Sequence, residues 1–319
     1  MTKRNLALSF LMSSIVALAL ASVTEATVPR AFVSTQGLDT NPCSALQPCR
    51  SFNQALTVVQ PGGEIIVQDS GGYSTGLTIS QSVTIDAGGF NASVFGTGAI
   101  DLCLINAGAS DRVVLKGISF HGANVGNTAI EVGQVGSLYL EHCSITEFPG
   151  AAVAMITGGN LFVADTDVRK CLLGFVMGTF TATPINLVAQ DSRFAEIGGS
   201  AVDLQSNGAG AASGLLTNCT ASVGAFGFDI ISNSASNVDM TLINCRIVGN
   251  TQKALDAEAH STGNATMRIA NCVVTQNAVG IATLVTSSGA ASVVGTGPGT
   301  NLIVANGSGN AVTSSATLQ

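Results

Sequence analysis

Apolar and polar residues alternate along this chain in a unit that recurs at a nearly constant period. Each copy reads apolar-x-x-small-x-apolar, then a short turn, then Gly or Ala followed by apolar-x-apolar. In six copies, 23 to 27 residues apart, the small residue is Cys143, Thr166, Ser192, Cys219, Cys245 and Cys272. A unit this short is unable to bury a core alone. The pattern therefore predicts a solenoid of stacked units.

Within each copy the apolar residues recur every second position, which predicts short strands rather than helices. One segment near the N-terminus differs, because Phe52, Leu56 and Val59 recur at helical spacing. Ser51 precedes them and is a favoured N-cap residue. We therefore expect an all-β protein with one short capping helix, ended by the Pro-Gly-Gly run at 61–63.

The repeat motif carries a family resemblance. I-x-N-C-x-apolar, as at 269–274, followed by Gly-Ile at 280–281, resembles the parallel β-helix repeat of the pectin-lyase-like superfamily. The segment 48–67 is similar to the cap of exported bacterial β-helix proteins, most of which have no assigned function. The resemblance implies a right-handed parallel β-helix of roughly nine coils. It indicates an architecture and leaves the activity open.

The resemblance and the repeat together divide the chain into four segments. They are a signal peptide at 1–26, an N-terminal cap at 27–63, a parallel β-helix at 64–310 and a C-terminal tail at 311–319. The signal peptide is indicated by two basic residues, an apolar run through Leu20 and small residues at Ala21 and Ala26, either of which fits a cleavage site. We favour cleavage after Ala26. A secreted or periplasmic protein is expected.

Charge narrows the range of partners. Without residues 1–26 the chain carries 10 basic and 18 acidic side chains. Nucleic acids and anionic membranes both require a clustered positive field, so neither is an expected partner. The mature chain has no second apolar run long enough for a membrane span. We expect a monomer that contacts a polysaccharide or another component of the cell envelope.

Cysteines are expected to have two different roles. Cys43 and Cys49 lie in two turns of the cap, and in an exported protein they predict a disulfide, with two free thiols as the alternative. Cys219, Cys245 and Cys272 share one position on successive coils. Stacked side chains run parallel, so their sulfurs do not reach disulfide geometry, and we expect buried reduced thiols.

Acidic residues align on three successive copies. Asp203, Asp229 and Asp256 each lie between inward-facing apolar residues, so they are expected to point outward on one sheet, with Glu258 two residues further on the same face. Three interpretations remain open. The column is solvated and partly neutralised by Lys253, or it is a Ca²⁺ site, or it supplies paired carboxylates for glycoside hydrolysis. No metal site is assigned from the sequence.

The third interpretation is weakened by a comparison with polygalacturonase-type hydrolases of this superfamily. Residues 227–230 match their Gly-Phe-Asp-Ile motif, but Phe226 stands where the resemblance implies a catalytic aspartate. Ser200 and Lys253 hold that position on the adjoining coils. The family's Asp-Asp, Gly-His-Gly and Arg-Ile-Lys motifs do not occur in this sequence.

We therefore favour an exported scaffold or surface-interaction protein with a hydroxyl-rich, glycan-contacting face and no identifiable catalytic residues. The alternative is a polysaccharide lyase or glycoside hydrolase that uses the acidic column. The chain has no Trp and two Tyr, which argues against a strong sugar binder because sugar faces usually stack on exposed aromatic rings.

Overall fold

The computed structural model describes residues 27–98, 100–296 and 301–316. Within these ranges the chain forms one helix, α1 (Phe52–Val58), and 31 strands. In chain order the strands are β1 (Val28–Val33), β2 (Val59–Val67), β3 (Gly71–Ser74), β4 (Leu77–Ile79), β5 (Val83–Asp86), β6 (Ala92–Phe95), β7 (Cys103–Asn106), β8 (Arg112–Lys116), β9 (Ile118–His121), β10 (Ile130–Gln134), β11 (Ser137–Glu141), β12 (Ser144–Thr146), β13 (Ala151–Met155), β14 (Gly159–Ala164), β15 (Asp167–Arg169), β16 (Leu173–Thr179), β17 (Ile185–Gln190), β18 (Arg193–Ala195), β19 (Ser200–Ser206), β20 (Ala212–Thr217), β21 (Thr220–Ser222), β22 (Phe226–Ser232), β23 (Val238–Ile243), β24 (Arg246–Val248), β25 (Lys253–Ala259), β26 (Ala265–Ala270), β27 (Val273–Thr275), β28 (Val279–Val285), β29 (Ala291–Thr296), β30 (Leu302–Val304) and β31 (Ser314–Ala316).

The strands form three parallel sheets that run the length of the molecule. The first has twelve strands in the order β1-β2-β5-β8-β11-β14-β17-β20-β23-β26-β29-β31. The second has nine, β4-β7-β10-β13-β16-β19-β22-β25-β28, and the third has ten, β3-β6-β9-β12-β15-β18-β21-β24-β27-β30. Each strand therefore pairs with the strand one turn later in the chain. This arrangement is a parallel β-helix of about nine turns, which confirms the predicted fold class.

A left-handed residue marks the corner between the first and third sheets on six successive coils. These residues are His142, Asp165, Asp191, Asn218, Asn244 and Asn271, with φ between 49° and 55°. Asn and Asp adopt this conformation more readily than other non-Gly residues. The amides also link neighbouring coils, since Asn218 donates to Asp191 at 3.0 Å and Asn271 donates to Asn244 at 2.6 Å. The corner is thus stabilised along the axis as well as within each turn.

The core fills the space that the three sheets enclose, and the small position of the repeat faces it. At that position Cys143, Thr166, Ser192, Cys219, Cys245 and Cys272 are all at most 3% exposed. The predicted disulfide between Cys43 and Cys49 is formed. The other six cysteines are free and buried. Small side chains at this position allow the chain to bend without opening a gap in the core.

This arrangement predicts the thiol chemistry. We expect no thiol of the native protein to react with a maleimide, and six to react after denaturation without reduction. Thiolate is the reactive form, and burial raises the pKa of Cys143 to about 12 and that of Cys171 to about 11. Mass mapping after labelling gives the count. A disulfide between Cys219 and Cys245 would contradict the parallel column.

The N-terminal cap matches the predicted helix start but not its end. The Ser51 hydroxyl accepts a hydrogen bond from the backbone N–H of Gln54 at 3.2 Å, which confirms the N-cap. The helix ends at Val58 because Val59 is already extended, with φ −72° and ψ 136°. The prediction that the run 61–63 ends the helix is therefore wrong, since that run lies inside β2.

Two strands, β1 and β31, lie wholly outside the predicted β-helix boundaries. β1 lies within the segment predicted as the cap, 27–63, and pairs with β2, which crosses the end of that segment, so the first sheet starts in the cap. β31 lies within the predicted tail, 311–319, and pairs with β29. The predicted signal peptide, 1–26, lies outside the described residues. In the part of the chain that is described, no helix has the length and apolar character needed to cross a bilayer.

Candidate functional site

The predicted acidic column is present on the outer face of the second sheet. Asp203 in β19 pairs with Asp229 in β22, and Asp229 pairs with Asp256 in β25. Because successive residues of a strand point to opposite faces, their buried neighbours Val202 and Leu204 lie on the inner side. The repeat therefore places three carboxyl groups on consecutive rungs, in the register that the sequence indicates.

The column is more buried than the sequence indicates. Asp229 is 7% exposed and Asp256 is 5% exposed, whereas Asp203 is half-buried. Oδ1 of Asp229 and Oδ1 of Asp256 are buried without a hydrogen-bond partner among the described residues. The hydroxyl of Ser200 on the preceding coil donates to Oδ2 of Asp229. The expectation of a solvated column is therefore wrong for Asp229 and Asp256.

Burial changes the protonation of these groups. It raises the pKa of Asp229 to about 8, opposed by the Ser200 hydrogen bond and reinforced by the nearby Asp256 and Asp203 carboxylates. Burial also raises the pKa of Asp256 to about 6, opposed by Lys253. The pKa of Asp203 rises by burial as well. At neutral pH Asp229 is therefore protonated, and repulsion along the column is reduced.

The remaining charges have partners within the cluster. Lys253 Nζ contacts Oδ2 of Asp256 and lies 3.1 Å from Oε1 of Glu258. His260 Nε2 lies 2.8 Å from Oε2 of Glu258. Burial alone would raise the pKa of Glu258, but hydrogen bonds from His260 and Lys253 hold it below the usual value. These contacts of Lys253 with Asp256 and Glu258 are consistent with the partial neutralisation that the first of the three interpretations includes.

Asp203 is held by an amide. Gln205, two residues later on the same face, donates from Nε2 to both carboxylate oxygens at 2.9 and 2.7 Å. Among the described residues, no group of three or more His, Cys, Asp or Glu side chains is placed to hold a metal ion. The calcium interpretation therefore gains no support from the donor geometry.

A second feature, which the sequence analysis missed, lies on the outer face of the third sheet. Ser93, Ser119 and Ser144 occupy one outward position on consecutive coils. A column beside them carries Phe95 and His121, whose rings meet edge to face with centroids 5.9 Å apart. The groove over these columns has a volume of about 600 Å³. The sequence signal was available, because the three serines directly follow Ala92, Ile118 and Cys143, which hold one position on consecutive coils.

The rim of this groove is polar and fixed in place. His121 Nδ1 lies 3.1 Å from the Thr146 hydroxyl, and its Nε2 lies 3.6 Å from Glu147. Phe95 is 42% exposed. We call this surface, formed by Ser93, Ser119, Ser144, Phe95 and His121, the serine groove. It offers hydroxyl groups beside an exposed aromatic ring, a combination suited to a polar ligand with an apolar side.

Comparisons with known proteins agree with this architecture. A family model described as "Right handed beta helix region" matches residues 76–241. The structure resembles the pectate lyase Pel9A with a TM-score of 0.61 and 14% identity over 84% of this chain and 79% of that one. It also resembles XylC in complex with xylose, with a TM-score of 0.52 and 8% identity over 80% and 69% of the two chains. No protein of curated function matches the sequence. At these identities the two structures share the fold with this chain.

Proposed function

The chain belongs to the right-handed β-helix family, and we propose that it is an exported, non-enzymatic scaffold whose surface contacts glycans. The observation that carries the proposal is the serine groove. Its three stacked hydroxyls match the donors and acceptors of sugar hydroxyl groups, and Phe95 offers a ring face or edge to the C–H groups of a sugar. A repeating surface of this kind suits a repeating polymer.

Export and partners follow from the same proposal. The disulfide between Cys43 and Cys49 is typical of proteins that act outside the reducing cytosol, so we place the protein in the periplasm or the extracellular space. A polysaccharide or another envelope component is the proposed partner, contacted by a monomer. The acidic balance of the chain argues against nucleic acid.

The acidic column supports a structural role better than a catalytic one. Asp229 and Asp256 are nearly inaccessible, while Glu258 and Asp203 are occupied by cationic or amide partners. A general acid must approach the atom that it protonates to about 3 Å. A glycosidic oxygen would reach neither Asp229 nor Asp256 unless Lys253 and its neighbours moved.

A second candidate function, polysaccharide lyase or glycoside hydrolase, is favoured by one observation. Asp229 has a pKa of about 8 and is protonated at neutral pH, as a general acid must be, and Asp256 on the next rung would serve as its partner carboxylate. Reducing-sugar and unsaturated-product assays separate the two candidates. Product formation that is lost in Asp229→Asn would establish the enzyme.

We expect the mature protein to bind plant or bacterial polysaccharides on a glycan array without releasing products. Ser119→Tyr should weaken that binding at least tenfold, because the new ring fills the serine groove from an outward position. Thr220→Tyr is the matched control, since Thr220 occupies the equivalent outward position four coils further along. Equal loss in both variants, or no binding by the parent protein, would refute the proposed function.

A further inference from the structure

A stack of flat side chains ends abruptly on the outer face of the first sheet. Tyr139 in β11 and Phe162 in β14 are paired residues whose rings lie parallel, 4.6 Å apart with an interplanar angle of 13°. The guanidinium of Arg112 covers the other face of Tyr139, with its Cζ 4.3 Å from the ring centroid. The next residue in the column is Val188, which has no ring, so the stack ends at the half-buried Phe162, and both side chains line an open recess.

The neighbouring outward column has a gap on the coil of Phe162. Its successive members are Lys116, Glu141, Ala164 and Gln190, so a methyl group stands between two long polar side chains. The result is a recess of about 360 Å³ over Ala164 and Val188. We call it the aromatic recess. Its size lies within the range of small-molecule sites.

Two carboxylates line the aromatic recess, and each has a nitrogen partner. Glu141 lies 3.3 Å from Lys116, and Asp165 at the corner lies 3.6 Å from His142. The rim therefore offers hydrogen-bonding oxygens and the Gln190 amide, and its lining residues include no Lys or Arg that would bind an anion. Phe162 supplies an apolar face that a ring bearing C–H groups would cover.

From this geometry we propose that the aromatic recess binds one neutral pyranose unit, which continues the Arg112–Tyr139–Phe162 stack at the level of Val188. The sugar's C–H face packs on Phe162, and its hydroxyl groups bond Glu141, Asp165 or Gln190. The inference deepens the proposed function because it takes glycans as the ligand class. The aromatic recess lies on a different sheet from the serine groove, so the two sites are tested separately.

The test uses methyl β-glucopyranoside, methyl β-galactopyranoside and glucuronic acid as probes, with affinities from saturation-transfer NMR titrations of the mature protein. We expect at least one neutral glycoside to bind with a millimolar Kd and glucuronic acid to bind more weakly. Val188→Phe should weaken binding at least tenfold, because the added ring occupies the open place in the stack without removing any existing contact. Phe162→Ala should have a similar effect.

Phe180→Ala is the matched control, because Phe180 is a 64% exposed ring outside the recess, and it should bind as the parent does. Parent-like affinity in Val188→Phe, or preferred binding of glucuronic acid, would overturn the inference. Binding lost in Ser119→Tyr but kept in Val188→Phe would leave the proposed function intact and refute the recess. Binding kept in Ser119→Tyr but lost in Val188→Phe would support the recess and refute the serine groove as the binding site.

Discussion

The free energy of unfolding of the parent protein is expected to fall by about 3–4 kcal/mol between pH 5 and pH 8, and Asp229→Asn should abolish this decrease. The folded-state pKa of Asp229 is about 8, above its usual value of 3.8. Between those values the folded state holds a proton that the unfolded chain releases. One such proton lowers the free energy of unfolding by about 1.4 kcal/mol per pH unit as pH rises. Above pH 8 the loss is complete.

Other groups in the cluster titrate around Asp229, and the comparison with the variant separates them. Asp256 and Asp203 have raised pKa values, so they too destabilise the fold as pH rises, Asp256 up to about pH 6. Glu258 has a lowered pKa, so its contribution is lost as pH falls. Lys253 has a raised pKa and stays charged throughout this range. The difference between parent and Asp229→Asn isolates Asp229.

The measurement is urea unfolding of both proteins at pH 5 and pH 8, with Asp239→Asn as the control. Asp239 is 44% exposed and pairs with Arg268, so the same Asp-to-Asn change there removes a surface carboxylate at a cost below about 1 kcal/mol. Parallel pH profiles for parent and Asp229→Asn would contradict a buried neutral carboxyl. Calcium should leave both melting temperatures unchanged. A calcium-dependent rise in the parent alone would establish the metal site instead.

Gly227→Ala is expected to destabilise the fold by about 3 kcal/mol, near the upper end for overpacking. A Cβ at this position would lie 2.1 Å from the carbonyl oxygen of Ala254 and 2.7 Å from a methyl of Ile247. Ala254 is on the adjacent coil, so the pairing of β22 with β25 must shift to make room. Denaturant unfolding and the melting temperature measure the effect.

Gly98→Ala provides the contrast for this substitution. A Cβ added to Gly98 has nothing within 4 Å, so the free energy of unfolding of this variant should differ from that of the parent by less than about 0.5 kcal/mol. Equal effects at the two positions would show that the close approach to Ala254 is not what requires glycine. Gly174 should behave as Gly227 does, because its Cβ would lie 2.0 Å from the Ala201 carbonyl oxygen.

The repeat predicts the register of the strands well, because the spacing between two copies determines every residue pair between their strands. Once the copies are aligned, Asp203, Asp229 and Asp256 must pair, and the structure pairs them. The depth of burial follows from a different cause, the side chains around each carboxyl group, such as Ser200 beside Asp229 and Lys253 beside Asp256. Period alone assigns a residue to the outer face and does not say whether its neighbours cover it.

The two grooves were missed for reasons that are also physical. Tyr139, Phe162 and Val188 each lie four residues before the small residue of their copy, so their stacking was readable from the alignment. Phe162, which is neither Trp nor Tyr, supplies the ring face, so the low count of Trp and Tyr gives no indication of it. A recess, moreover, depends on which side chain is short where its neighbours are long, as at Ala164. That contrast becomes visible only when all outward columns are compared.

The buried thiol column makes the order of folding matter. A chain that folds outside the cytosol meets oxidants before its core exists, and unfolded cysteines pair indiscriminately. Cys43 and Cys49, close together near the N-terminus, close a short loop early, whereas Cys219, Cys245 and Cys272 are protected once their coils have stacked. Each coil contacts only its neighbours, so assembly that proceeds from the capped end buries the thiols one after another and protects them from oxidants. For an exported chain, as proposed above, oxidation then competes with coil addition, and winding that is faster than oxidation would leave the six buried thiols reduced.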